Sequence, residues 1–169
     1  MKKLENRVAI ITGAAAGLGK AIALSFAAEG SKVVAADINV ALLKVLEEEI
    51  TSTGGIVTTI VADMAKEEDI DELFNKAITS YGAVDILVNN AGIQHVAPVD
   101  AFPEERWDAI MAINLSAVFH GIKAVLPGMK SRGWGRIVNV SSVHGLVASA
   151  NKSAYVAAKH GVVGLTKAV

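Results

Sequence analysis

The sequence has no cysteine among its 169 residues, so no disulfide framework, thiolate metal site or cysteine nucleophile can be built from it. Proline is scarce, at 3 residues, and no stretch is low in complexity, which argues against a disordered chain. Aromatic residues make up only 5%, which leaves the core to Ala, Val, Ile and Leu. Charge of either sign is not in excess, with 16 basic against 17 acidic side chains. No basic field is therefore available for nucleic acid or an acidic membrane. No apolar run approaches the roughly 18 residues needed to span a bilayer. Lys2 and Lys3 ahead of an apolar stretch and Ala14-Ala15-Ala16 loosely imitate a secretory signal, but Glu5 and Arg7 interrupt it. Without a secretory route, the Asn-x-Ser matches at Asn114, Asn139 and Asn151 are expected to be chance rather than glycosylation sites. What remains is one compact domain, expected in the cytoplasm and long enough to bury roughly 68–70% of its unfolded surface.

The segments that are present alternate in type. Residues 7–12 (RVAIIT) form a short apolar run ending at Gly13, which suits a strand buried on both faces. Residues 17–29 carry apolar side chains at helical spacing, with Gly30 as the stop. A second strand, 32–36, closes on Asp37, and Asn39 is placed to cap a helix reaching about residue 52. A third strand covers 56–61, a third helix 67–80 and a fourth strand 84–88. A long helix, 103–129, is expected to bend near Pro127. A fifth strand at 136–140 and a last helix at 153–169 complete the chain. This pattern predicts an α/β fold, a doubly wound parallel sheet of five strands. Right-handed crossovers then put every strand's carboxyl end along one edge, where ligands of such sheets bind.

The chemistry-bearing residues fall at that edge. Thr12-Gly13-Ala14-Ala15-Ala16-Gly17-Leu18-Gly19 joins strand one to helix one. Its glycines permit a tight turn and let the backbone approach a pyrophosphate at the helix N-terminus. Asp37 ends strand two, 18 residues past Gly19. A carboxylate there can accept hydrogen bonds from both ribose hydroxyls of NAD and repels the 2′-phosphate of NADP. Asn89-Asn90-Ala91-Gly92 after strand four fits equally an ordinary Asn/Gly turn and a backbone passing close to a cofactor. Tyr155 and Lys159 share a helix face, with Ser142 placed 13 residues before the tyrosine. A cation beside a phenol favours the phenolate and suits it to acid–base work. Histidines 95, 120 and 160 lack partners at metal-ligand spacing, so no metal site is expected, and His120 is read as a packing or interface residue. Trp107, Trp134 and the 132–136 turn are read as structural.

Together these motifs resemble the short-chain dehydrogenase/reductase family along the whole chain. The resemblance implies a Rossmann-type NAD-binding domain with its five strands in the order 3-2-1-4-5, and a catalytic tetrad of Asn114, Ser142, Tyr155 and Lys159. Tyr155 would be the general acid/base, Ser142 would polarise the reacting C–O bond, and Lys159 would bind the nicotinamide ribose and assist Tyr155. Asn114 would hold a water linking Lys159 to solvent. Cofactor contacts are implied at Thr12, Gly13, Ala15, Gly17, Leu18, Gly19, Asp37, Asp63, Met64, Asn90, Ala91, Gly92, Tyr155 and Lys159, with Asp63 on the adenine amino group.

Within the family, residues 92–98, 114–120 and 142–149, then Lys152 and residues 155–161, are similar to bacterial members that interconvert D-3-hydroxybutyrate and acetoacetate. In those members the residues matching Gln94, His144 and Lys152 hold the substrate carboxylate, beside Ser142 and Tyr155. A cation and two hydrogen-bond donors do suit a small anionic hydroxy acid. Family members continue past the helix in which this sequence stops, so the chain is expected to be truncated, with strand five left as an exposed apolar edge. A homo-oligomer, a dimer through the helices flanking strand five, is the expected partner state. Two other readings stand beside the enzyme: a dinucleotide-binding module without turnover, and a dehydrogenase of another small hydroxy acid or secondary alcohol.

Overall fold

The computed structural model describes residues 2–169. The strands are β1 (Val8–Thr12), β2 (Lys32–Asp37), β3 (Ile56–Val61), β4 (Ile86–Asn89) and β5 (Arg136–Asn139). They alternate with helices α1 (Gly17–Ala28), α2 (Val40–Ser52), α3 (Glu67–Tyr81), α4 (Glu104–Met111), α5 (Ala117–Arg132) and α6 (Ser153–Ala168). Every pairing is parallel, as the alternation of segments predicts, and the order is β3-β2-β1-β4-β5, as the resemblance implies. In the centre Ile10 stands between Val34 of β2 and Leu87 of β4.

The two-residue period of the strands divides the core into two layers. Val8, Ile10, Val34, Ile60 and Leu87 pack on Leu73, Phe74, Val125 and Met129 of α3 and α5. Ala9, Ile11, Val33, Ala35, Ile86 and Val88 pack on Ala23, Ala27, Leu43, Leu46 and Ile50 of α1 and α2. Because β1 has no exposed residue, its sequence shows a continuous apolar run rather than alternation. The outer helices settle on this core. Ala154 and Ala158 of α6 pack with Ile110 of α4, and Val162 packs with Val118 and Ile122 of α5.

Local chemistry fixes the helix ends. Asn39 accepts a hydrogen bond from the Leu42 amide and starts α2 as its cap. The acidic Glu67, Glu68 and Asp69 occupy the first turn of α3, and Gly82 ends it in the left-handed region.

The long helix departs from expectation. It runs as α4, a π-helical turn at Ala112–Ser116, and α5, which continues through Pro127. The break in regular geometry falls around Asn114 and not at the proline. The whole stretch Glu104–Arg132 is 29 residues with a mean hydropathy of 1.6 in its most apolar window. Length and composition alone would therefore let it cross a membrane, which corrects the expectation that no segment could. Here it lies on the sheet and buries Val118, Gly121, Ile122, Val125 and Met129.

At the amino edge of the sheet, Asp85 accepts from the Val8 amide and sits near the guanidinium groups of Arg7 and Arg132. Trp134 lies between Arg7, 3.8 Å from its ring, and Arg136, 5.1 Å away, the structural part expected of it. His120 packs beside Phe119 and reaches Glu67 of α3 at 3.4 Å.

Candidate active site

The carboxyl ends of β1, β2 and β4 bound a cleft. The turn between β1 and α1 is held from β4: Thr12 Oγ1 accepts from the Asn90 and Ala91 amides, and Asn90 Nδ2 donates to the carbonyls of Thr12 and Gly13. Asn89 is tied sideways, donating to Asn139 of β5 at 2.8 Å. The Asn89–Gly92 cluster therefore does more than make a turn. Its amides are structural ties, and its backbone lines the cleft. Gly19 is demanded by close approach, since a Cβ there would overlap the Gly13 carbonyl and meet Asn90 Nδ2 at 2.6 Å. Gly17 differs: it has a φ of +53° and nothing within 4 Å of the position a Cβ would take.

That open space lies over a helix N-terminus with no side-chain cap and no acidic residue in its first turn. Such a terminus leaves backbone N–H groups for an anion. Beside it, a cavity of about 250 Å3 is lined by Gly13, Asp37, Asp63, Met64, Ala91 and Gly92, among others. Asp37 accepts the Ala15 amide on one carboxylate oxygen and the Asn39 amide on the other. Each oxygen keeps lone-pair capacity for a further donor. Asp63 uses one oxygen on the Ala65 amide. Leu18 is exposed at the start of α1. These residues fit a dinucleotide: bare amides for its phosphates, a carboxylate at the end of β2, and an apolar-walled slot between them. Lys20 turns away to Glu49 of α2 at 2.6 Å.

Asn114 is completely buried inside the π-helical turn. Its Oδ1 accepts the Ile93 amide at 2.8 Å and its Nδ2 donates to the Ile93 carbonyl at 2.9 Å. This pins the segment after Gly92, which carries Gln94. The side chain of Asn114 is engaged with Ile93 and is not among the residues lining the cavity described next. Its burial also removes it as a glycosylation acceptor.

Gln94, Tyr155 and Lys159 line a second cavity of about 290 Å3 with Asn90, Gly92 and Ile93. The Lys159 ammonium lies 5.7 Å from the centre of the Tyr155 ring and donates to the Val140 carbonyl at 2.8 Å. The residue is only 5% exposed, and burial holds its ammonium below the ordinary lysine pKa. Ser142 accepts the His144 amide and starts the short 3-10 turn Val143–Gly145. His144 meets Tyr155 edge to face at 6.2 Å. Lys152 reaches His144 Nε2 at 3.4 Å. An ammonium can only donate, so Nε2 accepts and the imidazole proton belongs on Nδ1. That nitrogen is buried without a hydrogen-bond partner among the described residues. The Lys152–His144 pair thus stands beside Tyr155 through the imidazole, while Ser142, His144 and Lys152 are not among the residues lining that cavity.

Two participants were not singled out from the sequence. Ser141 and the Val140 carbonyl both touch Lys159. Ser141 carried a signal as the neighbour of Ser142, whereas a backbone carbonyl carries none.

Residues 7–169 match the short chain dehydrogenase family, and the chain belongs to it. It is 50% identical over 164 residues to the D-beta-hydroxybutyrate dehydrogenase of Cupriavidus necator and 46% identical over 166 residues to that of Rhizobium meliloti. Each alignment takes in 97% of this chain and 64% of the relative, so the chain spans less than two thirds of the length of these proteins. Among solved structures, a metagenomic short-chain oxidoreductase in complex with NADP superposes with a TM-score of 0.95 at 34% identity. That match covers 98% of this chain and 75% of the other. The five-stranded parallel sheet described above is thus the family's Rossmann-type fold.

Proposed function

We propose that the chain is the single dinucleotide-binding and catalytic domain of an NAD-dependent oxidoreductase that interconverts D-3-hydroxybutyrate and acetoacetate. The observation that carries this reading is the meeting of Tyr155 and Lys159 with the Lys152–His144 pair at the end of β5. The general-base and the carboxylate-binding chemistry are then side by side, as a small hydroxy acid requires. Lys152, His144 and Gln94 bind the substrate carboxylate, which leaves the C3 hydroxyl toward Tyr155. Ser142 donates to the substrate oxygen, and Tyr155 takes the hydroxyl proton as the C–O bond becomes a carbonyl. Bound NAD would supply the acceptor for the hydride that leaves C3. Asp37 favours NAD by accepting from the ribose hydroxyls, and no arginine or lysine stands in the glycine turn to welcome a 2′-phosphate. Asp63 and Met64 border the adenine, Thr12, Gly13, Ala15, Gly17, Leu18 and Gly19 the phosphates, and Asn90, Ala91 and Gly92 the nicotinamide half. Lys159 holds the nicotinamide ribose, and Asn114 keeps the Ile93–Gln94 segment in place. We place the protein in the cytoplasm.

Incubation of the 169-residue chain with NAD and D-3-hydroxybutyrate, followed by NADH absorbance, tests this directly. The expected result is NADH formation that falls at least about a hundredfold in Tyr155→Phe, the usual size of a general acid–base contribution. Lys152→Ala should lose turnover while NAD affinity stays the same. Retained turnover in Lys152→Ala would remove Lys152 from the carboxylate site and favour a dehydrogenase of a secondary alcohol. One alternative reading is a module that holds NAD without turning over. Folded chain that binds NAD and makes no NADH would establish that alternative.

A further inference from the structure

The end of β5 and the two residues after it grip α6 at three consecutive positions. Asn139 Nδ2 donates to Thr166 Oγ1 at 2.9 Å. The Val140 carbonyl accepts from the Lys159 ammonium at 2.8 Å, and Ser141 Oγ donates to the Lys159 carbonyl at 3.0 Å. The last two contacts hold one residue at both ends, by its backbone and by its charge. Gly145 closes on the same spot. A Cβ there would lie 2.5 Å from Ser141 Oγ, 2.8 Å from the Lys159 carbonyl and 3.0 Å from Val163. The turn that carries Ser142 and His144 is therefore seated directly on α6 at the lysine.

Lysine is a point charge on a flexible stem, so its burial beside Tyr155 needs anchors outside the helix. The Tyr155-x-x-x-Lys159 spacing puts both side chains on one face but does not set which way that face turns. We propose that Ser141 is a positioning residue. By holding the Lys159 carbonyl, with Gly145 giving the turn room to close, it sets the roll of α6 that keeps the ammonium on Val140 and beside Tyr155. The catalytic meaning of this role rests on the oxidoreductase reading above, while the geometry does not.

Two readouts on the whole chain test it: acetylation of individual lysines by acetic anhydride, followed by peptide mass spectrometry, and kcat against KM for D-3-hydroxybutyrate. Ser141→Ala should label Lys159 several-fold faster while exposed Lys44 labels at the wild-type rate. Its kcat should fall about tenfold, the scale of one lost hydrogen bond, with KM changed by less than about twofold. Gly145→Ala should move both readouts in the same direction. If Ser141→Ala fails to fold, every lysine accelerates together and Gly145→Ala decides. Unchanged Lys159 labelling in the folded variants overturns the proposal, and so does a raised KM at unchanged kcat. A wild-type chain that makes no NADH removes the oxidoreductase reading, and selective Lys159 labelling then still decides the positional claim.

Discussion

Lys159 shows how a residue identified from spacing acquires its properties from its surroundings. Spacing from Tyr155 gives its helix face, but its burial comes from packing and its hydrogen bond from a carbonyl that no side-chain pattern encodes. The consequence for stability has a definite sign. Burial lowers its pKa from 10.5 in the folded chain. Between the lowered value and 10.5 the unfolded chain binds more protons than the folded one, so stability rises with pH across that window. Below the window the charged side chain remains a constant cost. Lys159→Met should therefore flatten the stability curve in the alkaline range just below pH 10.5. Urea unfolding of both proteins across that range measures it. The wild-type slope attributable to this residue cannot exceed about 1.4 kcal/mol per pH unit. Asn114 offers a second case: the resemblance gives it a place in the site, and the structure adds that its side chain holds Ile93. A resemblance transfers a position, whereas the contacts decide what the position touches.

At the scale of elements, strands and helices were largely legible because their signals are local. The apolar runs of β1 and β2, the Asn39 cap and the acidic first turn of α3 all report on neighbouring residues. The boundaries moved where tertiary contacts decided them. The fourth strand starts at Ile86, after Asp85 has committed its carboxylate to Val8 and its neighbours. The π-helical turn around Asn114 was invisible for the same reason: it accompanies a clamp on Ile93, which lies 21 residues away. The glycine turn was legible in composition, while the distinct duties of its glycines were not. Gly19→Ala would force a methyl into the Gly13 carbonyl and Asn90, displacing the start of α1. We expect NAD affinity to fall more than about tenfold and the melting temperature to drop, by calorimetric titration and thermal unfolding, since overpacking costs about 1–3 kcal/mol. Unaltered affinity would show that the turn does not shape the phosphate site.

For the whole molecule, the sheet has two open edges, β3 and β5, and β5 is the one flanked by α5 and α6. It pairs only with β4 among the described strands, and Val138 is 48% exposed on it. Long strand edges and exposed apolar surface invite association. Phe119, 48% exposed on α5, adds apolar surface to a helix beside that strand. We propose a homodimer through α5 and α6. Light scattering of the 169-residue chain should give about twice the monomer mass, and Phe119→Asp should shift it toward the monomer. A clean monomer in the wild type would refute the assembly.

The sequence by itself determined the alternation of strands and helices, the parallel sheet with right-handed crossovers that such alternation builds, and the edge at which the unusual residues gather. Those are consequences of periodicity, chirality and short-range capping, each written within a few residues. Only the tertiary structure decided what joins residues far apart in the chain. It set Thr12 under Asn90, Asn114 on Ile93, and Lys159 between Val140 and Ser141. Hydrogen bonds of that kind depend on distance in space, and chain spacing constrains such distances only after the sheet has formed.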